Sequence, residues 1–395
     1  MKILQFCKKT PIPPKDGESI AIHQLSNAFN NNGCDLHVFS LLTPKHKKKK
    51  SNLYLKNVNY SFQKIDTSIS YFSMLTNLLF SKKSYIVKRF FDNNANNKLI
   101  KLLKEEEFDL IQIEGVFLAY YIPTIRKYSK AKIVLRAHNL EFKIWERFSE
   151  NESFFKKIYL KNILIPRLRN LEIKTAKDVD CIVPISSIDE KYFRNLNIHK
   201  PIKTLPAAYE AKKYVKELPQ IFSVGFIGGL DWKPNSEGVK WFLKNVWREY
   251  VKIKDESIFN LAGRNFPRRY YDLKDTNLFI FGEIDNAQEF TLDNSVMIAP
   301  ILSGSGMRIK IIEALALGRT VLSTTIGAEG INYENKKNIF IADTPNEWIK
   351  ILIKLSEDEK ILNSVGKAGQ ELINKDHNSL KLGVELVNFY KKELL

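Results

Sequence analysis

The feature that most restricts this chain is an alternation of short apolar runs, each about the length of a buried strand, with longer stretches of helical periodicity. Runs at Ile3–Phe6, Leu36–Leu42, Leu110–Ile113, Ile133–Ala137 and Cys181–Pro184 predict strands, and Ile20–Asn31 and Ile163–Lys177 predict helices among them. The pattern then starts afresh. Strands are expected at Phe222–Ile227, Ile258–Ala262, Leu278–Phe281, Val296–Pro300, Val321–Ser323 and Ile339–Ile341, with helices at Ser236–Tyr250, Arg308–Leu317 and Pro345–Leu355. Strand–helix–strand succession builds parallel sheets covered on both faces. The fold class expected is therefore α/β, two doubly wound Rossmann-like domains facing across a cleft. A linker is expected at Pro201–Gln220, which Pro201, Pro206 and Pro219 interrupt. It divides the chain into residues 1–203 and 204–378, with a last helix over 379–395 packing back on the first domain.

Composition narrows the class. With 395 residues and 44% apolar content the chain can build ordinary cores, which excludes wholesale disorder. Cys7, Cys34 and Cys181 lie far apart, so neither a disulfide scaffold nor a cysteine zinc site is expected. The six histidines show no metal-ligand spacing. Asp178-Val179-Asp180 has the spacing of a metal-binding carboxylate pair but falls at a helix end before a strand, and reads as structural. The N-terminus is too soon charged for a secretion signal, and no run approaches the roughly 20 apolar residues of a membrane span. A cytoplasmic protein is expected. The net charge of +18 favours anionic partners. The run Lys47-Lys48-Lys49-Lys50, with Lys45 and His46, reads as a solvated loop. No helix-turn-helix, zinc-finger or RNP-like signature stands out, so nucleic acid is not an expected partner. The aromatics of Tyr54–Phe91 read first as a helical core, with a membrane-dipping surface or base stacking as alternatives.

The segment richest in chemistry runs from Ser303 to Gly318. It leaves a strand through Gly304, Ser305, Gly306 and Met307, then opens a helix. A helix start carries unpaired N–H groups and a partial positive charge, and glycines let the backbone approach a ligand closely. Arg308 can hold phosphate oxygens in bidentate fashion, Lys310 adds a point charge, and Glu313, one turn on, can accept from both hydroxyls of a ribose. Phosphate donors followed by a diol acceptor describe a nucleoside diphosphate site; an ordinary surface pair of Lys310 with Glu313 is the plainer alternative. Gly228-Gly229 after the strand at Phe222–Ile227 is half a dinucleotide fingerprint, and no GxGxxG follows, which argues against a nicotinamide dehydrogenase. His138 ends a strand, where doubly wound sheets present ligands, and Asp16, Gly17 and Ser19 precede or cap the first helix.

Gly306 through Gly318, with Thr320–Thr325 and Gly327–Gly330, is similar to the donor-site block of GT-B fold glycosyltransferases of the family 4 kind, the glycosyl transferases group 1. Phe226–Asn235 resembles the opening of that family's C-terminal domain, and Pro13–Gly17 its N-terminal substrate loop. Arg136–Glu141 matches a position where a histidine, here His138, faces the transferred sugar. The resemblance implies a retaining transferase, in cell-surface polysaccharide synthesis, that moves a sugar from a nucleoside diphosphate to a glycan or lipid-linked acceptor. It implies an acceptor domain at 1–203, a donor domain at 204–378 and no cofactor or metal. Catalytic roles fall to His138, Arg308 and Lys310, and donor contacts to Gly228, Gly229, Gly304, Ser305, Gly306, Met307 and Glu313. Asp16, Gly17 and Glu141 belong to the acceptor or phosphate loop. An anionic membrane surface is a further expected partner, with the protein peripheral on its inner face. Three positions depart from the family pattern: Ser305 replaces a glutamate, Gly229 an arginine and Glu18 a glycine. A nucleotide-sugar epimerase of the same fold and a non-catalytic membrane-associated subunit are the alternatives.

Overall fold

In the computed structural model the chain divides into two compact units, Met1–Ala208 with Ser379–Leu395, and Tyr209–Asn378. All residues are described except 15, 45, 47–52, 151, 210–215, 272–276 and 305, together with the side chain of Arg269. The basic run at Lys47–Lys50 with Lys45, part of the expected linker, and Ser305 therefore lie outside the described residues.

The sheet of the first unit comprises β1 (Lys2–Cys7), β2 (Asp35–Leu42), β3 (Val58–Lys64), β4 (Leu110–Glu114), β5 (Lys132–Ala137) and β6 (Cys181–Pro184). All pairings are parallel, in the order β3-β2-β1-β4-β5-β6. Side chains alternate across such a sheet. Leu4 and Phe6 of β1 enter one core with Ile111, Ile113, Ile133 and Leu135, while Ile3 and Cys7 enter another with Leu36, Val38, Leu110 and Val134. The last helix, Ser379–Glu393, completes the second core with Leu382, Leu386, Val387 and Tyr390. Its Gly383 allows close approach to the helix Gly17–Asn31: a Cβ there would lie 2.7 Å from that of Ala28.

The sheet of the second unit comprises β7 (Ser223–Ile227), β8 (Ile258–Ala262), β9 (Leu278–Gly282), β10 (Val296–Ala299), β11 (Thr320–Ser323) and β12 (Phe340–Ile341). It too is parallel, ordered β12-β11-β10-β7-β8-β9. In each sheet the order reverses beside the unit's first strand, between β1 and β4 and between β7 and β10. A crevice beyond the carboxyl ends of those strands is where such sheets bind ligands.

The structure departs from the sequence reading around Tyr54–Phe91. That stretch supplies β3, an edge strand with Tyr60 and Phe62 half-buried, and then the helices Tyr71–Phe80 and Tyr85–Lys88. The first of these helices is no core element: Tyr71, Phe72, Leu75, Leu79 and Phe80 are exposed and only Asn77 is buried. The helix expected from Ser236 starts at Lys233, because Pro234 fits the first turn, where no N–H is required.

Tyr390 ties the last helix to the sheet, donating from its hydroxyl to Gln112 Oε1 at 2.7 Å with both side chains fully buried. Tyr390→Phe removes that bond and leaves a buried acceptor unpaired. It should destabilise the first unit by about 1–3 kcal/mol, read as an earlier urea transition of that unit's signals; an unchanged midpoint would deny the bond its role.

Candidate functional site

In the second unit the reversal point brings together the turn after β7 and the loop after β10. Gly304 and Gly306 take φ of 102° and 87°, a left-handed backbone that only glycine adopts without strain. Their turn delivers Arg308 as the N-cap of the helix Ile309–Ala316. The guanidinium is buried, donates to the Gly306 carbonyl at 2.6 Å and stacks 5.2 Å over the Trp232 ring. Met307, just before it, is half-buried. Ile309, Ile312 and Ala316 are buried as expected, and so are Ile311, Ala314 and Leu315, which leaves Lys310 and Glu313 as the helix's half-buried charges.

Lys310 is no member of a surface ion pair. Its Nζ donates to Asn235 Oδ1 at 2.9 Å and sits 3.9 Å from the centre of the Phe226 ring. Asn235 is fixed in turn by donating to the Gly229 carbonyl at 2.9 Å. Gly228 makes this approach possible: a Cβ there would stand 2.7 Å from Asn235 Nδ2 and 2.8 Å from Lys310 Nζ. Burial, then the nearby Arg308 charge, lowers the Lys310 ammonium to about 7, against the pull of Glu313. Burial raises the Glu313 carboxyl to about 7, although Lys310 works against it. Lys233, at the start of the helix after β7, pairs with Glu237 one turn on. Gly228, Gly229, Gly304, Gly306, Met307, Arg308, Lys310 and Glu313 thus gather at one reversal point.

In the first unit His138 follows β5 and is buried. Its Nε2 lies 2.7 Å from Glu114 Oε2, and Nδ1 is a buried nitrogen without a hydrogen-bond partner. A carboxylate only accepts, so Nε2 carries the proton and donates to it, and Nδ1 is left to meet a ligand. Glu114 is itself fully buried, accepting at Oε1 from Gln5 Nε2 at 2.7 Å and Gln112 Nε2 at 2.6 Å. Behind these stand Ser26, donating to Gln5 Oε1, and Tyr390 on Gln112. Sequence reasoning missed Glu114. Its signal was available: Gln5, Gln112 and Glu114 are polar residues in strands otherwise apolar, and parallel register sets Gln5 beside Gln112.

Asp16 is the N-cap expected of it, accepting from the Ser19 N–H at 2.9 Å in a reciprocal capping box, with Gly17 opening the helix. Lys9 binds Asp16 at 2.8 Å and Glu18 at 2.9 Å, and Lys8 reaches the other Glu18 oxygen at 3.1 Å. Burial alone would raise the Glu18 carboxyl, but the Lys8 and Lys9 charges hold it well below its ordinary range. Glu18, the departure from the family's glycine, thus meets both lysines of this loop, Lys9 being shared with Asp16. Glu141 begins a helix whose first N–H groups, its own and that of Phe142, donate to Glu172 at 2.8 and 3.1 Å. Burial raises the Glu172 carboxyl to about 8, and the Glu141 charge pushes the same way. Glu141 is raised too, by burial first. Asp180 is structural, accepting from Arg126 and from the Ile133 N–H at 2.7 Å each.

These two sites can be set beside known proteins. Residues 221–358 match the family model described as Glycosyl transferases group 1. An uncharacterized 44.6 kDa protein in the cps region of Klebsiella pneumoniae is 24% identical over 294 residues, 72% of this chain and 74% of that protein. Among solved structures, a sucrose-phosphate synthase from Thermosynechococcus elongatus is similar with a TM-score of 0.71 at 14% identity, covering 99% of each chain. A variant of S. aureus TarM, in complex with Fondaparinux, alpha-GlcNAc-glycerol and UDP, gives a TM-score of 0.71 at 12% identity over 99% of this chain and 100% of that one. HepE from Anabaena, in complex with UDP-glucose, gives 0.67 at 12% identity over 99% and 100%. Both sheets and their strand order give the chain the GT-B fold of these solved structures, and its residues 221–358 are similar to the glycosyl transferases of group 1.

Proposed function

We propose that the protein transfers a sugar, with retention, from a nucleoside diphosphate to a glycan or lipid-linked acceptor in polysaccharide synthesis. The second unit would hold the donor. Its diphosphate would meet the start of the helix Ile309–Ala316 with Arg308 and Lys310, and its ribose would meet Glu313. The observation that carries this reading is Lys310, drawn out of water onto Asn235 and the Phe226 ring rather than onto a carboxylate. A desolvated ammonium gains most from an anion that displaces the last water.

In the reaction the bond from the anomeric carbon to the β-phosphate oxygen breaks and the electron pair stays on that oxygen. The acceptor hydroxyl oxygen bonds the same face of the carbon, and its proton passes to the departing phosphate. Arg308, Lys310 and the helix start would stabilise the charge that builds there, an effect often worth several kcal/mol. His138 would touch the sugar through Nδ1, with Glu114 as a positioning residue that fixes the ring and its tautomer. The acceptor would bind the first unit, near Asp16, Gly17 and Glu141. The TarM complex contains UDP and the HepE complex UDP-glucose, and the Klebsiella relative lies in a cps region, which supports testing uridine nucleotides and polysaccharide acceptors first.

Incubation with UDP-, GDP- and ADP-sugars, with and without extracted glycolipid acceptor, tests the reading: acceptor-dependent release of nucleoside diphosphate is expected. Conversion of the donor alone would make the protein an epimerase, and absence of nucleotide binding would overturn the proposal. Arg308→Ala and Lys310→Ala should each cut turnover about 100-fold or more, with circular dichroism unchanged. Glu114→Gln should lower kcat about tenfold or more and leave nucleotide affinity, measured by calorimetry, as in the wild type. Equal loss of affinity would deny it a positioning role.

The pH dependence has two limbs. An anion favours charged Lys310, whose ammonium in the empty site is largely lost above about 7. The ribose favours ionised Glu313, whose charge is largely lost below about 7. Nucleotide affinity should therefore peak near neutrality. Calorimetric titrations should lose the alkaline limb in Lys310→Met and the acid limb in Glu313→Gln. A flat profile in the wild type would contradict the assignment.

A further inference from the structure

The helix Tyr71–Phe80 is inside out. A surface helix of a water-soluble fold turns its apolar stripe inward, yet here Asn77 is buried while Tyr71, Phe72, Leu75, Leu79 and Phe80 face solvent, Phe72 and Phe80 at 76% and 84% exposure. The exposed positions follow helical spacing, 71-75-79 beside 72-80, so they share one face. Ile69, just before the helix, is exposed too.

A second exposed apolar group lies on a neighbouring segment. In the helix Phe154–Tyr159 no residue is buried, and Phe154, Phe155 and Ile158 are exposed, Phe155 at 84%. That helix continues through Leu160–Leu164 into Ile165–Asp178, whose Arg167 donates to the carbonyls of Asn77 and Leu78 and to Asn77 Oδ1, each at 3.2 Å. The inner side of the first helix is therefore fastened to the element that carries the second group. Exposed apolar area on this scale marks an interaction surface.

The charges near the two groups identify the partner. From Thr67 to Phe91 the sequence contains Lys82, Lys83, Lys88 and Arg89 and no acid; from Ser153 to Leu171 it contains Lys156, Lys157, Lys161, Arg167 and Arg169 and again no acid. Glu150 and Glu152, just outside, pair with the lysines at 156, 157 and 161, which leaves Lys82, Lys83 and Lys88 as exposed cations flanking the aromatic face. Aromatic and leucine side chains in a cationic border suit the boundary between acyl chains and anionic headgroups. No helix among the described residues is long and apolar enough to cross a membrane.

We infer that the first unit docks on an anionic lipid surface through the apolar face of the helix Tyr71–Phe80, with Phe154, Phe155 and Ile158 as a second point of insertion. This surface is separate from the nucleotide site and does not depend on the transfer reaction. The test is sedimentation of the full chain with vesicles of phosphatidylcholine alone or with phosphatidylglycerol added. The wild type should pellet with the anionic vesicles and much less with the neutral ones. Phe72→Ser/Phe80→Ser/Phe155→Ser should lower the bound fraction at least about tenfold, with the UDP-induced thermal shift of the chain unchanged. Three results would overturn the inference: no pelleting of the wild type with either vesicle, equal pelleting of the triple variant, or a wild-type dimer by gel filtration that the variant dissociates without any vesicle binding. Loss of the UDP shift in the wild type alone would count against the nucleotide site and leave the lipid surface standing.

Discussion

An ammonium held partly out of water at the start of a helix is the constraint around which the second unit is organised. Lys310 takes that place because Gly228 has no side chain to fill it, because Asn235 is braced on the Gly229 carbonyl, and because Phe226 offers its ring face. Strand order supplies the rest. The chain leaves β7 and β10 side by side and runs away from their junction in opposite directions, so the two turns that carry these groups meet. Gly304 and Gly306 then bend the loop so that Arg308 caps the helix.

The first unit repeats the topology with a different electrostatic result. At its reversal point Lys8 and Lys9 are matched to Glu18 and Asp16, and His138 is backed by Glu114. A loop whose cations are already paired is a poorer diphosphate site than one whose lysine rests on an amide. It is better suited to hydroxyl groups, which both donate and accept. This contrast fits the proposed division, in which the second unit would take the nucleotide sugar and the first the acceptor.

Much of this was legible in the sequence, for identifiable reasons. Parallel strands covered on both faces are continuous apolar runs, so eleven of them could be read directly; β3 was missed because an edge strand is half exposed and alternates polar with aromatic residues. The glycine loop and the spacing of Arg308, Lys310 and Glu313 were readable because they are local. Glu114 and Asn235 were not singled out, since each acts on a residue distant in sequence, His138 and Lys310, and only strand order brings them together. The helix Tyr71–Phe80 misled because periodicity marks which residues share a face, and carries no sign for which way the face points.

The titrations of the empty site give a last link between binding and stability. Lys310 is lowered from 10.5 to about 7, so between those values the unfolded chain binds more protons and stability rises with pH. Glu313 is raised from 4.5 to about 7, so across that lower window the folded chain binds more protons and stability falls as pH rises. Both contributions leave the empty site least favourable near neutrality. On the proposed reading, a diphosphate beside Lys310 and a diol on Glu313 would offset both penalties together. If Lys310 serves that anion, a neutral side chain of similar length would suit the empty protein better and the loaded one worse.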